Sequence, residues 1–163
     1  NSYRVGHGFD AHRLAEGRRL VLGGVEIPYE KGLDGHSDAD VLIHAVIDAL
    51  LGAAGLPDIG RQFPDTDEAY RGISSIQLLE RTAELMKRQG FTIGNVDCTL
   101  ILQRPKVAAY TQRMEKNMAD ALGAADERIH VKATTTEGMG FTGDGQGIAA
   151  SAVCFLIRHP GLI

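Results

Sequence analysis

Two short stretches carry most of the chemistry in this chain. The first is His7-Gly-Phe-Asp10-Ala-His12. The second, Asp34-Gly-His36-Ser37-Asp38-Ala-Asp40-Val-Leu-Ile-His44, sets two histidines and three aspartates just ahead of an apolar run. In extended chain Asp10 and His12 point to the same side. On a helix Asp40 and His44 share a face, and Asp48, one turn further on, is placed to bond the free nitrogen of His44. Two imidazoles and one carboxylate, from Asp10, His12 and His44, suit zinc, with manganese, cobalt and iron as alternatives; three protein ligands leave a position open for catalysis. The plainer reading makes Asp10 and His12 polar residues at a strand end and His44 a core histidine bonded to Asp40 or Asp48. Spacing alone does not bring the two stretches together.

Other groups admit a similar pair of readings. Thr134-Thr135-Thr136-Glu137 offers three hydroxyls, backbone N–H groups and a carboxylate, which can hold phosphate oxygens and a magnesium ion, or can be a β-turn after a strand. His36 can position a phosphate or lie in a surface loop. Gln103-Arg104-Pro105-Lys106 precedes a helix whose N-terminal amides attract anions, or forms a solvated turn. Asp58, Asp65 and Asp67 are candidates to hydrogen-bond sugar hydroxyls.

The elements that must position these groups follow from periodicity. Residues 3–9 read as a strand leading to Asp10-Ala-His12. Arg19–Pro28 reads as a strand with a bulge or tight bend at Gly23-Gly24, and Glu30–Gly35 as loop. A first helix starts near Ser37 or Asp38, carries the stripe Leu42, Ala45, Val46, Ala49, Leu50 and Ala53, and ends at Gly52 or Gly55. Residues 56–73 show no period, as in a lid or binding loop. A second helix is capped by Ser74 or Ser75 and ends at Gly90, with Ile76, Leu79, Ala83 and Met86 inward. Strand 96–102, the 103–106 turn, a third helix from about Pro105 to Leu122, strand 129–135, a glycine-rich tract over 134–147 and strand 148–157 complete an α+β or α/β domain spanning 1–163.

Composition narrows the function classes. The chain has 163 residues, 44% hydrophobic and 23% charged, with a formal charge of -4. That is ordinary for a soluble globular domain with a real core. No basic run suggests nucleic acid, and no apolar run approaches the roughly 20 residues a membrane helix needs. The chain enters a strand-like segment almost at once, which predicts no signal peptide, and it starts Asn1-Ser2 without methionine, as a trimmed chain would. Cys98 and Cys154 sit in apolar strands and read as buried reduced thiols. Glycine is the unusual count, 20 of 163, and its clusters suggest backbone shaped around a ligand.

Taken together the segments resemble the 2-C-methyl-D-erythritol 2,4-cyclodiphosphate synthase family over nearly the whole chain. The likeness is carried by Gly6-His-Gly-Phe-Asp-Ala-His12, Gly24-Val-Glu-Ile-Pro28, His36-Ser-Asp-Ala-Asp40 with His44, Asp58-Ile-Gly60, Phe63-Pro-Asp-Thr-Asp67, Gly94-Asn-Val-Asp97, and Lys132-Ala-Thr-Thr-Thr-Glu137 with Gly140-Phe-Thr142. The resemblance implies an α+β fold, a small mixed sheet with three helices on one face, and a homotrimer with active sites between subunits. It implies Zn2+ (or another divalent transition metal) on Asp10, His12 and His44, and Mg2+ on Glu137. His36 and Thr135 would position phosphate and stabilise the transition state, with Ser37, Thr134 and Thr136 on the phosphates. Asp58, Ile59 and Gly60 would take the ribose side of a cytidine diphosphate substrate. Phe63, Pro64, Asp65, Thr66 and Asp67 would contact the methylerythritol part. Leu102, Gln103, Arg104, Pro105, Lys106, Val107 and Ala108 would hold cytosine, largely through backbone.

The implied reaction, in non-mevalonate isoprenoid biosynthesis, closes 4-diphosphocytidyl-2-C-methyl-D-erythritol 2-phosphate into the 2,4-cyclodiphosphate and releases CMP. The substrate brings its own nucleophile, consistent with the lack of an activated Ser or Cys motif; the protein need only position and neutralise charge. The resemblance also implies a bacterial cytoplasmic or plastid stromal location. One departure stands out: many relatives have arginine where this chain has Asp144, near Phe141, at a trimer-axis cavity that can bind isoprenoid diphosphates. The reversed charge predicts poor binding of such anions here. Two rivals to the synthase reading are a zinc-dependent phosphoesterase, which would activate a water, and a non-catalytic cytidine-nucleotide or isoprenoid-binding module, which would not need an open metal site.

Overall fold

The computed structural model describes residues 2–64, 66–70 and 72–161. Two long strands, β1 (Ser2–Glu16) and β7 (Gly147–Arg158), pair antiparallel from Ser2–Arg158 to Arg13–Gly147 and form the spine of the molecule. With β4 (Lys31–Leu33), β5 (Phe91–Ile101) and β6 (Ile129–Thr134) they make a five-stranded mixed sheet in the order β4-β1-β7-β5-β6. Among the described strands only the β5–β6 pair is parallel. A separate hairpin joins β2 (Leu20–Leu22) to β3 (Val25–Ile27).

Period-two alternation decides which face of the sheet is covered. Gly6, Gly8 and Leu14 of β1, Ile148, Ala150, Ala152, Cys154 and Leu156 of β7, and Val96, Cys98 and Leu100 of β5 are buried. Their neighbours in sequence point to the other face, where most are exposed or half-buried and Ala149 is buried. Three helices cover the buried face: α1 (Val41–Ala54) on β1 and β7, α3 (Ser75–Arg88) beside α1 and β5, and α4 (Thr111–Leu122) on β6. The opposite face carries Tyr3, Val5, Phe9 and Val153 exposed, Val5 at 69% and Phe9 at 54%. α1 is apolar nearly all round, as befits a helix enclosed between the sheet and α3. α3 is amphipathic and opens with a reciprocal Ser74–Gln77 cap.

The mixed sheet and the three long helices agree with the α+β expectation, but several boundaries differ. β1 runs through Asp10 and His12 to Glu16, because β7 pairs with it as far as Arg13 and β4 pairs with its last three residues. Gly23-Gly24 is the turn of a hairpin, not a bulge within one strand; both residues adopt φ of 58° and 74°. The expected loop at 30–35 contains β4, paired to β1 at Leu14–Leu33. α1 begins at Val41 with Asp40 as its cap, because Ser37 and Ala39 hold left-handed φ of 55° and 53° that no helix allows. The 56–73 stretch contains a short helix, α2 (Ile59–Gln62), and a 3-10 turn at Glu68–Tyr70. The third helix starts at Thr111, not Pro105, because Leu102 and Gln103 are committed to hydrogen bonds with Thr134 and Gly138 and a 3-10 turn, Ala108–Tyr110, intervenes. Residues 140–143 form a further short helix, α5 (Gly140–Gly143).

Candidate metal centre and adjoining cleft

Close packing of α1 on β1 creates the centre. A Cβ on Gly6 would lie 1.9 Å from the Ala49 carbonyl oxygen, and one on Gly8 the same distance from that of Ala45. Only glycine lets the helix backbone rest on the strand there. At the next inward position of β1, Asp10 meets His44, and His12 follows.

The Asp10 Oδ2 atom is 3.2 Å from His44 Nδ1 and 3.0 Å from His12 Nδ1. The His12 contact is an ion-pair distance without hydrogen-bond geometry: His12 Nδ1 is buried with no hydrogen-bond partner among the described residues. One ligand atom from each of Asp10, His12 and His44 lies within 4.8 Å of the others. An unsatisfied imidazole nitrogen, a second imidazole nitrogen and a carboxylate oxygen facing one point are donors a divalent transition metal fits. Burial raises the Asp10 pKa, but the two imidazoles close beside the carboxylate, His12 and the hydrogen-bonded His44, outweigh it and hold the carboxyl at about 2. Burial lowers the His44 pKa, and Asp10 overcomes this and moves it above the ordinary value.

Asp48 does not bond His44 as its spacing suggested. Its Oδ1 accepts from Ile59 N at 2.8 Å, which ties α2 to α1. The outer nitrogen of His44, Nε2, lies 3.0 Å from Ser75 Oγ, and Ser75 Oγ donates to Asp38 Oδ1 at 2.5 Å. The sequence suggested only a capping role for Ser75. Asp38 and Asp40 stand at the start of α1, Asp40 as its cap, and both also reach across the fold. Asp40, fully buried, accepts from Gly23 N at 2.9 Å, Gly24 N at 2.7 Å and Ile43 N at 3.2 Å, so it joins the β2–β3 hairpin to the start of α1.

Beside the centre opens a cleft of about 610 Å³. His44, His36, Ser37, Ile59, Gly60, Phe63 and Thr66 border it. Tyr70, Ile73 and Leu78, apolar residues with no motif to mark them, complete its walls. Phe63 and Tyr70 meet edge to face at 5.3 Å. Asp58 caps α2 by accepting from Arg61 N, and Asp67 accepts from Ala69 N, so both carboxylates have local partners. Asp65 lies outside the described residues. Pro64 is half-buried and does not border the cleft.

The remaining predicted residues form a second cluster. Leu102 N donates to the Thr134 carbonyl at 3.0 Å, and Gly138 N to Gln103 Oε1 at 3.1 Å, which joins the 102–108 turn to the 134–138 tract. Leu102 and Val107 are buried, so only their backbone can face a ligand; Arg104, Lys106 and Ala108 are exposed and Pro105 is half-buried. Thr134 Oγ1 donates to the Thr135 carbonyl, Thr135 Oγ1 accepts from Glu137 N, and Thr136 Oγ1 donates to the Met139 carbonyl. Glu137 holds a left-handed φ of 54°. Strand register runs from Asp10 to Ala150, Leu100 and Ala133. The second cluster therefore sits three strands from the metal centre, about 14 Å at the usual strand spacing. Among the described residues bordering the cleft, none comes from 102–108 or 134–137. Phe141, on α5, is exposed, and Asp144 accepts from the backbone and side chain of Gln146.

Fold and site define a class: a mixed-sheet α+β protein with a two-histidine, one-carboxylate centre beside an open cleft. The chain belongs to the YgbB family, which matches residues 3–157. It is 61% identical, over 95% of this chain and 97% of the relative, to a 2-C-methyl-D-erythritol 2,4-cyclodiphosphate synthase of Thiobacillus denitrificans. Among solved structures it superposes on the bifunctional IspDF of Campylobacter jejuni with a TM-score of 0.92 and 42% identity, covering 97% of this chain and 43% of that longer one. It superposes on a CDP complex of Plasmodium falciparum IspF with a TM-score of 0.84 and 34% identity, covering 97% of both chains. No helix among the described residues is long and apolar enough to cross a membrane.

Proposed function

We propose that the chain converts 4-diphosphocytidyl-2-C-methyl-D-erythritol 2-phosphate to 2-C-methyl-D-erythritol 2,4-cyclodiphosphate and CMP, as a metal-dependent phosphorus–oxygen lyase of non-mevalonate isoprenoid biosynthesis. The observation that carries this is the convergence of Asp10, His12 and His44 in a chain 61% identical to an enzyme named for that product. In the reaction an oxygen of the substrate's 2-phosphate attacks the β-phosphorus, the bond from that phosphorus to the CMP oxygen breaks, and the ring closes.

The residues serve positioning and charge neutralisation. Asp10, His12 and His44 would hold zinc, and Glu137 a magnesium ion. When bound, these ions polarise the phosphoryl oxygens and offset the repulsion between two phosphates brought together. His36 and Ser37, at the cleft beside His44, would hold phosphate oxygens there. Ile59 and Gly60 with Asp58 would take the ribose, and Phe63 to Thr66 the methylerythritol carbons. The Thr135 hydroxyl would donate to the transferring phosphoryl group from the second cluster, with Thr134 and Thr136 beside it and residues 102–108 holding cytosine through backbone groups.

The two clusters lie on different strands of one protomer, and the apolar outer face of the sheet is uncovered. Both features support a homotrimer in which one subunit's cleft meets a neighbour's 102–108 and 134–137 segments. That face exceeds what isolated surface apolar residues require.

Product analysis tests the activity. The expected products are the cyclic diphosphate and CMP in equal amounts; ring-free hydrolysis products would favour the phosphoesterase. Thr135→Ala is expected to lower kcat by on the order of a hundredfold with fold and CMP affinity retained. Loss of CMP affinity alone would move Thr135 to a binding role.

A further inference from the structure

We propose that Asp38 and Ser75 are positioning residues for the metal centre: they hold the His44 ring with Nε2 as its N–H, so that Nδ1 is the atom that binds the ion. The inference rests on the metal reading above and adds to it which ring nitrogen serves and what selects it.

The geometry fixes the direction of each hydrogen bond. Ser75 has one hydroxyl proton and two polar neighbours, Asp38 Oδ1 at 2.5 Å and His44 Nε2 at 3.0 Å. A hydroxyl oxygen and a carboxylate oxygen at 2.5 Å need a proton between them, and the carboxylate is the acceptor. The Ser75 proton is therefore spent on Asp38. Ser75 Oγ can then face Nε2 only as an acceptor, which requires a proton on Nε2. A neutral imidazole protonated at Nε2 carries its lone pair on Nδ1. His44 Nδ1 is the atom that lies 3.2 Å from Asp10 Oδ2, on the side where His12 Nδ1 also sits.

The relay is built into the fold. Asp38 accepts from Ser75 N at 3.1 Å and from Asp40 N at 3.2 Å as well as from the hydroxyl, so its carboxylate is held at three points. Ser75 is fully buried at the first position of α3. The helix cap is made by Ser74, which leaves the Ser75 hydroxyl with no capping task. A ligating histidine whose outer nitrogen is bonded in this way is held in one tautomer and one ring orientation.

The test uses zinc alone, with no substrate. Ser75→Ala keeps the Ser75 N to Asp38 bond and removes only the hydroxyl. Zinc affinity, by competition with a chromophoric chelator, is expected to weaken by about ten- to a hundredfold. In nitrogen-15 spectra of the zinc-loaded wild type, His44 is expected to show a proton on Nε2 that exchanges slowly with solvent, and in Ser75→Ala that protection should be lost. A merely structural role for Ser75 would not move this signal. Unchanged affinity in a folded Ser75→Ala protein, or a His44 bound through Nε2, overturns the inference. Should Ser75→Ala fail to fold, Asp38→Asn serves in its place: weaker zinc binding supports the relay and unchanged binding overturns it. A wild-type protein that takes up no zinc overturns the metal reading itself, and this inference with it.

Discussion

His44 Nδ1 lies 3.2 Å from Asp10 Oδ2, although the two residues are 34 positions apart and belong to a helix and a strand. The contact depends on α1 resting on Gly6 and Gly8. Removing the imidazole leaves two of three candidate ligands. His44→Ala is expected to lower zinc affinity by more than about a hundredfold, beyond the cost of losing an outer hydrogen-bond partner. Elemental analysis after dialysis checks this; stoichiometric zinc in the variant would refute the assignment.

The same pair sets the pH response. Asp10, held at about 2, is ionised through the neutral range and does not limit metal uptake. The His44 pKa is raised, so its proton competes with the ion up to a higher pH than for an ordinary histidine. Zinc affinity should fall as pH drops through the histidine range. The metal-free protein has two opposite contributions. A raised His44 pKa stabilises the fold below the unfolded value near ~6.5 and loses that contribution as pH rises through the folded value. A lowered Asp10 pKa stabilises above 3.8 and loses that contribution as pH falls toward about 2. Thermal melting against pH, with His44→Ala for comparison, separates them: the upper limb should vanish in the variant.

Asp40 carries a stability prediction. Its carboxylate satisfies the N–H groups of Gly23, Gly24 and Ile43 from a fully buried position. Asp40→Ala strands the buried Gly23 donor, removes the acceptor of the more exposed Gly24 N–H and takes away a helix cap, at a cost of roughly 2–3 kcal/mol. Urea unfolding should show a lower midpoint; a change under about 1 kcal/mol would mean that water replaces the carboxylate.

Val5, on the uncovered sheet face, tests self-association. Val5→Glu places a charge where Tyr3, Phe9 and Val153 are also exposed. Light scattering is expected to report the 17.5 kDa monomer in place of the proposed threefold assembly, with synthase activity lost as the proposed two-subunit site requires. An active monomer would contradict the shared site.

Asp144 tests the departure from the family pattern. Its carboxylate, bonded to Gln146, stands three positions from Phe141, where many relatives have an arginine. Calorimetry with geranyl diphosphate should show weak binding, and Asp144→Arg should strengthen it by about tenfold. Tight wild-type binding that disappears on changing Phe141 would defeat the prediction.

Local pattern was enough for a good part of this molecule. The stripes of α1 and α3, the alternation of β5 and β7, the glycine stops at Gly55 and Gly123 and the two histidine-bearing stretches are all written within windows of one element, where side-chain period and backbone freedom act. The order of motifs also carried the family resemblance.

What local pattern could not decide was every contact between distant segments. The β4 pairing, the Asp40 bridge to the Gly23-Gly24 turn and the Ser75–Asp38 support of His44 join residues 15 to 37 positions apart. Asp48 shows the limit clearly. Helical spacing put it on the His44 side, but Ile59 N satisfies it instead, because a half-buried carboxylate takes whichever donor packing brings within reach. The sequence by itself determined which residues could bind a metal. Tertiary packing of α1 on two glycines of β1 determined that Asp10, His12 and His44 meet.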